Sequence, residues 1–363
     1  MKIVSMSMIH LHLAAIGALA ITIGAIFALR PLAQAIRLVD KPGGHKVHAG
    51  EVPIVGGLGI LLGTLFALSS SQDAFGPLQQ YVFSAVLITV TGMIDDRFKL
   101  DHKIRLVVQV VALLPMFYGA HIQLLSFGDL LGTGPLHTDG WTIVATAIVV
   151  LGAINSFNML DGLDGLAGAV SLSTLTLLLI LCVHGGSFAL PVGDPILIVS
   201  LIGSILGFLV FNAPIKENRG IRCFMGDAGS TLIGFSLAWL LIDLSQGTSR
   251  VAQPITMVWL TAIPITDLVW TVIRRLLKRK SPFHPDRGHL HHLLTDAGLA
   301  PFAVVLIMTS SGLLFGMAGL ALELTKVPEQ TSLLLWGVAA GTLVAAFKSA
   351  AKLRLWVKPL SAS

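Results

Sequence analysis

The chain has 363 residues, of which 54% are hydrophobic and only 12% charged, where a soluble domain carries roughly 25% charged residues. With a mean hydropathy of +0.84, a soluble globular enzyme and a disordered chain are both excluded. The formal net charge of +5 is no argument for nucleic acid, because its distribution along the chain has a membrane explanation.

A membrane-spanning helix takes about 20 mostly apolar residues. In chain order, eleven segments are expected to be helices of this kind: 6–29, 54–71, 80–95, 104–121, 141–157, 165–183, 195–213, 230–244, 253–275, 302–324 and 331–347. Some are short or rich in glycine, so the count stands at ten to twelve. The first is too long for a cleaved leader, and only Lys2 precedes it, so a retained helix is expected. No internal repeat, low-complexity tract or soluble insertion interrupts the pattern. Residues 1–363 are expected to form a single integral-membrane domain, an all-α polytopic protein.

Lysine and arginine accumulate in cytoplasmic loops. With the N-terminus placed on the periplasmic side and eleven crossings, 21 of the 24 Lys and Arg residues fall inside, leaving Lys2, Arg250 and Lys326 outside. The C-terminus is then cytoplasmic. Cys182 and Cys223 fall near opposite faces, so no disulfide between them is expected.

The same alternation puts every polar cluster on the cytoplasmic side. Asp95-Asp96 closes an apolar run and is followed by Arg97, Lys99, Lys103 and Arg105. Adjacent carboxylates repel one another and invite a divalent cation, and basic neighbours suit phosphate. A solvated helix end explains that dipeptide alone equally well. Asn158, Asp161 and Asp164 are spaced by three, which on a helix is one face, and Gly162, Gly165 and Gly168 interleave with them. The same residues could also cap the following helix. Gly226-Asp227-Ala228-Gly229-Ser230 opens an apolar segment as an anion-binding turn or an ordinary cap would. His289, His291 and His292 follow Asp286-Arg287. Zinc is disfavoured there, because no cysteine lies nearby and the other clusters offer hard oxygen ligands; an anionic substrate suits Arg287 and the histidines better. Asp267, inside the ninth apolar segment, receives no role.

Carboxylates, amides, basic residues and histidines on one membrane face make up the inventory of Mg2+-dependent phosphoryl transfer, which relies on positioning and charge neutralisation. A secondary transporter would also explain the helix count. It predicts repeats and polar residues at mid-membrane, whereas here the clusters sit at helix ends and no repeat is visible. A membrane metalloprotease lacks its zinc signature, and a scaffold would not need these clusters.

The motifs together resemble one family. Asp40-Lys41-Pro42 with Pro53-Ile54-Val55-Gly56-Gly57, Asp95-Asp96-Arg97 with Lys103-Ile104-Arg105, Asn155 through Gly165, Phe224 through Thr231, and Pro282 through His292 occur in the order found in the polyprenyl-phosphate N-acetylhexosamine-1-phosphate transferases. The resemblance implies that a polyprenyl phosphate attacks the β-phosphate of a UDP-N-acetylhexosamine and releases UMP. It implies catalytic roles for Asp95, Asp96, Asp161 and Asp164, with Asp95 as the group that deprotonates the lipid phosphate. It places metal on Asp227 and Asn158, and substrate contacts on Lys46, Lys103, Asn212, Arg287, His289, His291 and His292. The implied cofactor is Mg2+, with Mn2+ as a substitute. The short Asp-Arg-containing His loop points to UDP-N-acetylglucosamine, other N-acetylhexosamines remaining open, and undecaprenyl phosphate is the expected acceptor. The expected location is a bacterial inner membrane, the partners are lipid and not nucleic acid, and a homodimer is compatible with the pattern.

Overall fold

Backbone polar groups in hydrocarbon must satisfy one another, and apolar runs without strict alternation do so as helices. The computed structural model describes residues 2–40, 50–70, 76–184, 193–214, 222–247, 250–281 and 288–357. Among them run α1 (Lys2–Ala35), α2 (Gly56–Leu68), α3 (Pro77–Phe98), α4 (His102–Ala112), a π-helical turn (Pro115–Gly119), α5 (Thr142–Leu160), α6 (Leu166–His184), α7 (Gly193–Asn212), α8 (Gly226–Asp243), α9 (Pro254–Leu260), α10 (Ala262–Leu277), α11 (Leu290–Asp296), α12 (Pro301–Leu324) and α13 (Glu329–Val357). A two-residue antiparallel pairing, Val39 with Pro53 and Asp40 with Val52, joins the end of α1 to the start of α2. This is a multi-pass, all-helical membrane protein.

α8 is the axis. Every residue from Ala228 to Leu240 is buried, so its composition is apolar or small all round. α2, α3 and α5 pack against it at points where no side chain intervenes. A Cβ on Gly57 would overlap the Gly229 backbone, one on Gly92 the backbone of Ala228, and one on Gly234 the backbone of Ile154. Such close approach is how helices associate where lipid removes the hydrophobic drive. It also sets the register: the first turn of α8 lands beside the last turns of α3 and α5, at one end of the bundle.

Each of the eleven expected segments falls on helix, but the crossings differ in kind. Among the described residues, seven helices are long and apolar enough to span, and α9 with α10 makes an eighth only as a pair bent by 87°. α2 has 13 residues, α4 has 11, and both are too short for a hydrocarbon core about 30 Å thick at 1.5 Å per residue. The 104–121 segment breaks at Leu113 and continues as the π-turn from Pro115, because proline lacks the N–H that a continued α-helix needs. At the far end of the bundle the loops interlock. Gln246 Oε1 accepts the N–H groups of Leu125 and Ser126, both at 3.0 Å, and Glu329 Oε1 accepts that of Asp129 at 3.0 Å. Cys182 and Cys223 are buried and are not joined in a disulfide.

Candidate active site

The glycine contacts around α8 bring α3 and α5 to its N-terminus, and α4, packed on both, comes with them. α8 has no side-chain cap of its own, and Asp96 of α3 supplies one. Its Oδ1 accepts Asp227 N–H at 2.9 Å and its Oδ2 accepts Ala228 N–H at 3.2 Å. A carboxylate is favoured there by the unpaired amides and the positive end of the helix dipole. Gly226, at φ +70, makes the turn just before it, where a Cβ would run into the Asp96 carboxyl group.

Asp95 is almost fully buried, and both its oxygens are engaged: Oδ1 accepts Leu100 N–H at 2.7 Å, and Oδ2 pairs with Arg105 Nη1 at 2.8 Å. The same Nη1 reaches Asp227 Oδ2 at 3.4 Å. Asp227 is the more open of the two acids, with 30% of its side chain exposed against 4% for Asp95. Its Oδ1 accepts Asn158 Nδ2 at 2.7 Å, and that nitrogen also reaches Ser230 Oγ at 3.0 Å. Asp95, Arg105, Asp227 and Asn158 thus form one connected polar cluster drawn from four helices.

Asp161 and Asp164 do not share a helical face. α5 stops at Leu160 and α6 begins at Leu166, so both acids lie in a five-residue turn ending at Gly165, whose φ is +78. Glycine adopts that conformation without the Cβ clash that stops other residues. Burial, then the negative charges of Asp227, Asp96 and Asp164, hold the Asp161 carboxyl well above the usual carboxylate range. Asp164 is paired with Arg222. Asn212 is buried and bridges two loops: its Oδ1 accepts Gly165 N–H at 2.7 Å and its Nδ2 donates to Cys223 O at 2.9 Å. It braces the turn from behind.

The histidines reach the same turn. His291 is buried, and its imidazole packs where a side chain on Gly162 would otherwise stand. The His289 ring lies parallel to that of His291 at 5.8 Å, and His292 is 4.1 Å from His291 between ring centroids. Lys103 is exposed in the first turn of α4, two residues before Arg105. Lys46 and Arg287 lie outside the described residues.

Two residues with a strong claim on the site had no assigned part in the sequence reading. Arg105 stood as one of several positive charges after Asp95-Asp96 and as the end of the Lys103-Ile104-Arg105 motif, and Arg222 only among the 21 Lys and Arg residues counted as cytoplasmic. Their signal was weak, because a partner 122 or 58 residues away leaves no local trace. Among the described residues, no three His, Cys, Asp or Glu side chains form a ready metal cage. The oxygen atoms of Asp227, Asp95 and Asn158 nevertheless suit Mg2+, a hard cation that keeps several waters and takes one or two carboxylates together with substrate phosphates.

Clustered carboxylates, a guanidinium and stacked histidines at one end of a helical membrane bundle are groups with which a membrane-embedded transferase could hold a phosphorylated substrate. More particularly, the chain belongs to glycosyl transferase family 4, whose model matches residues 78–245, the stretch that carries Asp95, Asp96, Asn158, Asp161 and Asp227. It is 33% identical over 315 residues to the undecaprenyl-phosphate alpha-N-acetylglucosaminyl 1-phosphate transferase of Yersinia pestis, covering 86% of this chain and 85% of the relative. The enzymes of the same name from Salmonella typhi and Escherichia coli strain K12 are 36% and 32% identical, each over 86% of this chain and 84% of the relative.

Proposed function

We propose that the protein transfers N-acetylglucosamine-1-phosphate from UDP-N-acetylglucosamine to undecaprenyl phosphate. An oxygen of the lipid phosphate bonds to the β-phosphorus of the donor, the bond from that phosphorus to the oxygen bridging the two phosphates breaks, and UMP leaves with the electron pair. Undecaprenyl-diphosphate-N-acetylglucosamine remains, the lipid-linked start of a cell-surface polysaccharide. The observation that carries this reading is the Asp95–Arg105–Asp227–Asn158 cluster at the end of the bundle, in a chain whose relatives bear the name of this reaction.

The site's residues divide the work. Arg105 neutralises Asp95 and Asp227 and is placed to meet the diphosphate as charge builds on it. Asp227, Asp95 and Asn158 would hold Mg2+, which supplies charge neutralisation at the diphosphate; Mn2+ offers the same chemistry. Asp95 remains our candidate for taking the lipid phosphate's proton, and Asp96 fixes the first turn of α8. Lys46, Lys103, Arg287 and the histidines would contact the donor. Asn212, with its amide turned to Gly165 and Cys223, serves donor binding only through the turn it braces.

Supporting an inner-membrane protein with eleven crossings and a cytoplasmic site is the lopsided distribution of Lys and Arg. Reaching that count takes α2, α4 continued by its π-turn, α8 and the bent α9–α10 pair as crossings, the short α2 by local thinning of the bilayer around it. The test is purified protein in detergent with Mg2+, undecaprenyl phosphate and radiolabelled UDP-N-acetylglucosamine, scored for labelled lipid and released UMP. Folded protein that makes no lipid product with any UDP-N-acetylhexosamine refutes the proposal.

A further inference from the structure

Asp267 is 1% exposed in the interior of α10, where a carboxylate is costly unless fully partnered. Among the described residues its partners are His289 and Leu290, at the end of the His loop. Oδ1 accepts Leu290 N–H at 2.7 Å and Oδ2 lies 3.0 Å from His289 Nδ1. His289 is the N-cap position of α11 and makes no side-chain cap, so Asp267 caps that helix from a different element. Thr271, one turn further along α10, places its hydroxyl 3.3 Å from the same Nδ1. Arg274, the next residue on that face, packs its guanidinium against Gly288. Residues 267, 271 and 274 share one face by helical spacing, and this polar stripe is the mount on which the loop sits.

We infer that Asp267 is a positioning residue of the active site, acting through His289. A carboxylate can only accept, so the imidazole proton is held on Nδ1 and Nε2 is left as the acceptor. The chain of contacts continues from His289 to the parallel ring of His291, and from His291 to Gly162, beside Asp161. Asp267 therefore selects one tautomer and fixes the height of the loop over the catalytic turn before the donor arrives. Its place on α10, beyond the stretch matched by the family model, connects the bent α9–α10 pair to the chemistry. This inference rests on the transfer reaction proposed above.

The experiment uses full-length protein in detergent as wild type, Asp267→Asn, His289→Gln and the double variant. Asparagine still accepts from Leu290, but its amide donates to Nδ1 and should drive the proton to Nε2. With 15N-labelled histidine, the wild-type signal that His289→Gln removes is expected to be the Nδ1-protonated form, inverted in Asp267→Asn. The kcat/KM for UDP-N-acetylglucosamine should fall on the order of tenfold to a hundredfold, as when the partner orienting a functional histidine is lost, with the KM for undecaprenyl phosphate unchanged. In the His289→Gln background, Asp267→Asn should cost nothing further. An Nε2-protonated His289 in the wild type overturns the inference, as does an equal loss in both backgrounds. If Asp267→Asn fails to fold, the wild-type tautomer decides. If the wild type makes no lipid product, the proposed reaction fails, and the tautomer still reports on Asp267.

Discussion

Arg105→Gln separates the two tasks of the guanidinium that Asp95 and Asp227 share. Its Nη1 stands 2.8 Å from Asp95 and 3.4 Å from Asp227. At an effective dielectric of about 20 these pairs are worth ~6 and ~5 kcal/mol, and in bulk water ~1.5 and ~1.2 kcal/mol. Arg105 is 37% exposed, so solvent screening and side-chain entropy bring the net figure toward the lower pair, about 1–3 kcal/mol in all. Each 1.4 kcal/mol is roughly a factor of ten in rate or affinity. The variant leaves Asp95 and Asp227 uncompensated, so the Mg2+ concentration for half-maximal activity should fall about tenfold. The diphosphate loses a fixed cation at the same time, so kcat should fall about tenfold or more. UMP release measured across a Mg2+ titration, at saturating UDP-N-acetylglucosamine and undecaprenyl phosphate, reads both. A variant with unchanged Mg2+ dependence and unchanged kcat would show that Arg105 is a bystander and would remove the cluster as the basis of the reading.

Gly92→Val forces a side chain into the Ala228 backbone and should cost about 1–3 kcal/mol or more, seen as a lower thermal midpoint with lost activity; Gly337→Ala, whose added Cβ meets nothing within 4 Å, should keep activity and leave the midpoint unchanged or slightly raised. Asn212→Ala removes the partners of Gly165 N–H and Cys223 O and should cost about 1–3 kcal/mol in a melting assay, while a selective rise in donor KM with full stability would make Asn212 a substrate contact instead. The Asp161 carboxyl is raised, so the folded metal-free protein binds a proton that the unfolded chain gives up. That stability is present below the ordinary carboxylate pKa of about 4 and is lost as pH rises through the raised value. The thermal midpoint without divalent cation should therefore decline from acidic to neutral pH, with Asp161→Asn flattening the slope; an identical slope in the variant assigns it to another group.

The architecture is legible locally because hydrophobicity and helix formation depend on neighbours in sequence. The eleven apolar segments, the polar clusters at their ends and the charge asymmetry needed no contact information, and the family motifs pointed to Asp95, Asp96, Asp227 and the His loop as candidates for one site. The three-residue spacing of Asn158, Asp161 and Asp164 misled, because periodicity cannot show that α5 ends at Leu160 and that the acids sit on a turn. It is equally silent on the bend of 87° between α9 and α10.

Which groups meet was decided by packing. Glycines at 57, 92 and 234 let backbones touch α8, and that closeness sets α3 and α5 at the one height where Asp96 caps α8 and Asn158 reaches Asp227. Arg105 acquires its bridging role, and Asp267 its histidine, only through those heights. The sequence by itself determined that this protein is helical and membrane-spanning, with its polar clusters at helix ends, since those properties follow from composition over a few turns. The tertiary structure alone decided how the ends interlock, since a hydrogen bond between residues 69 or 131 positions apart exists only once the intervening helices have found their register.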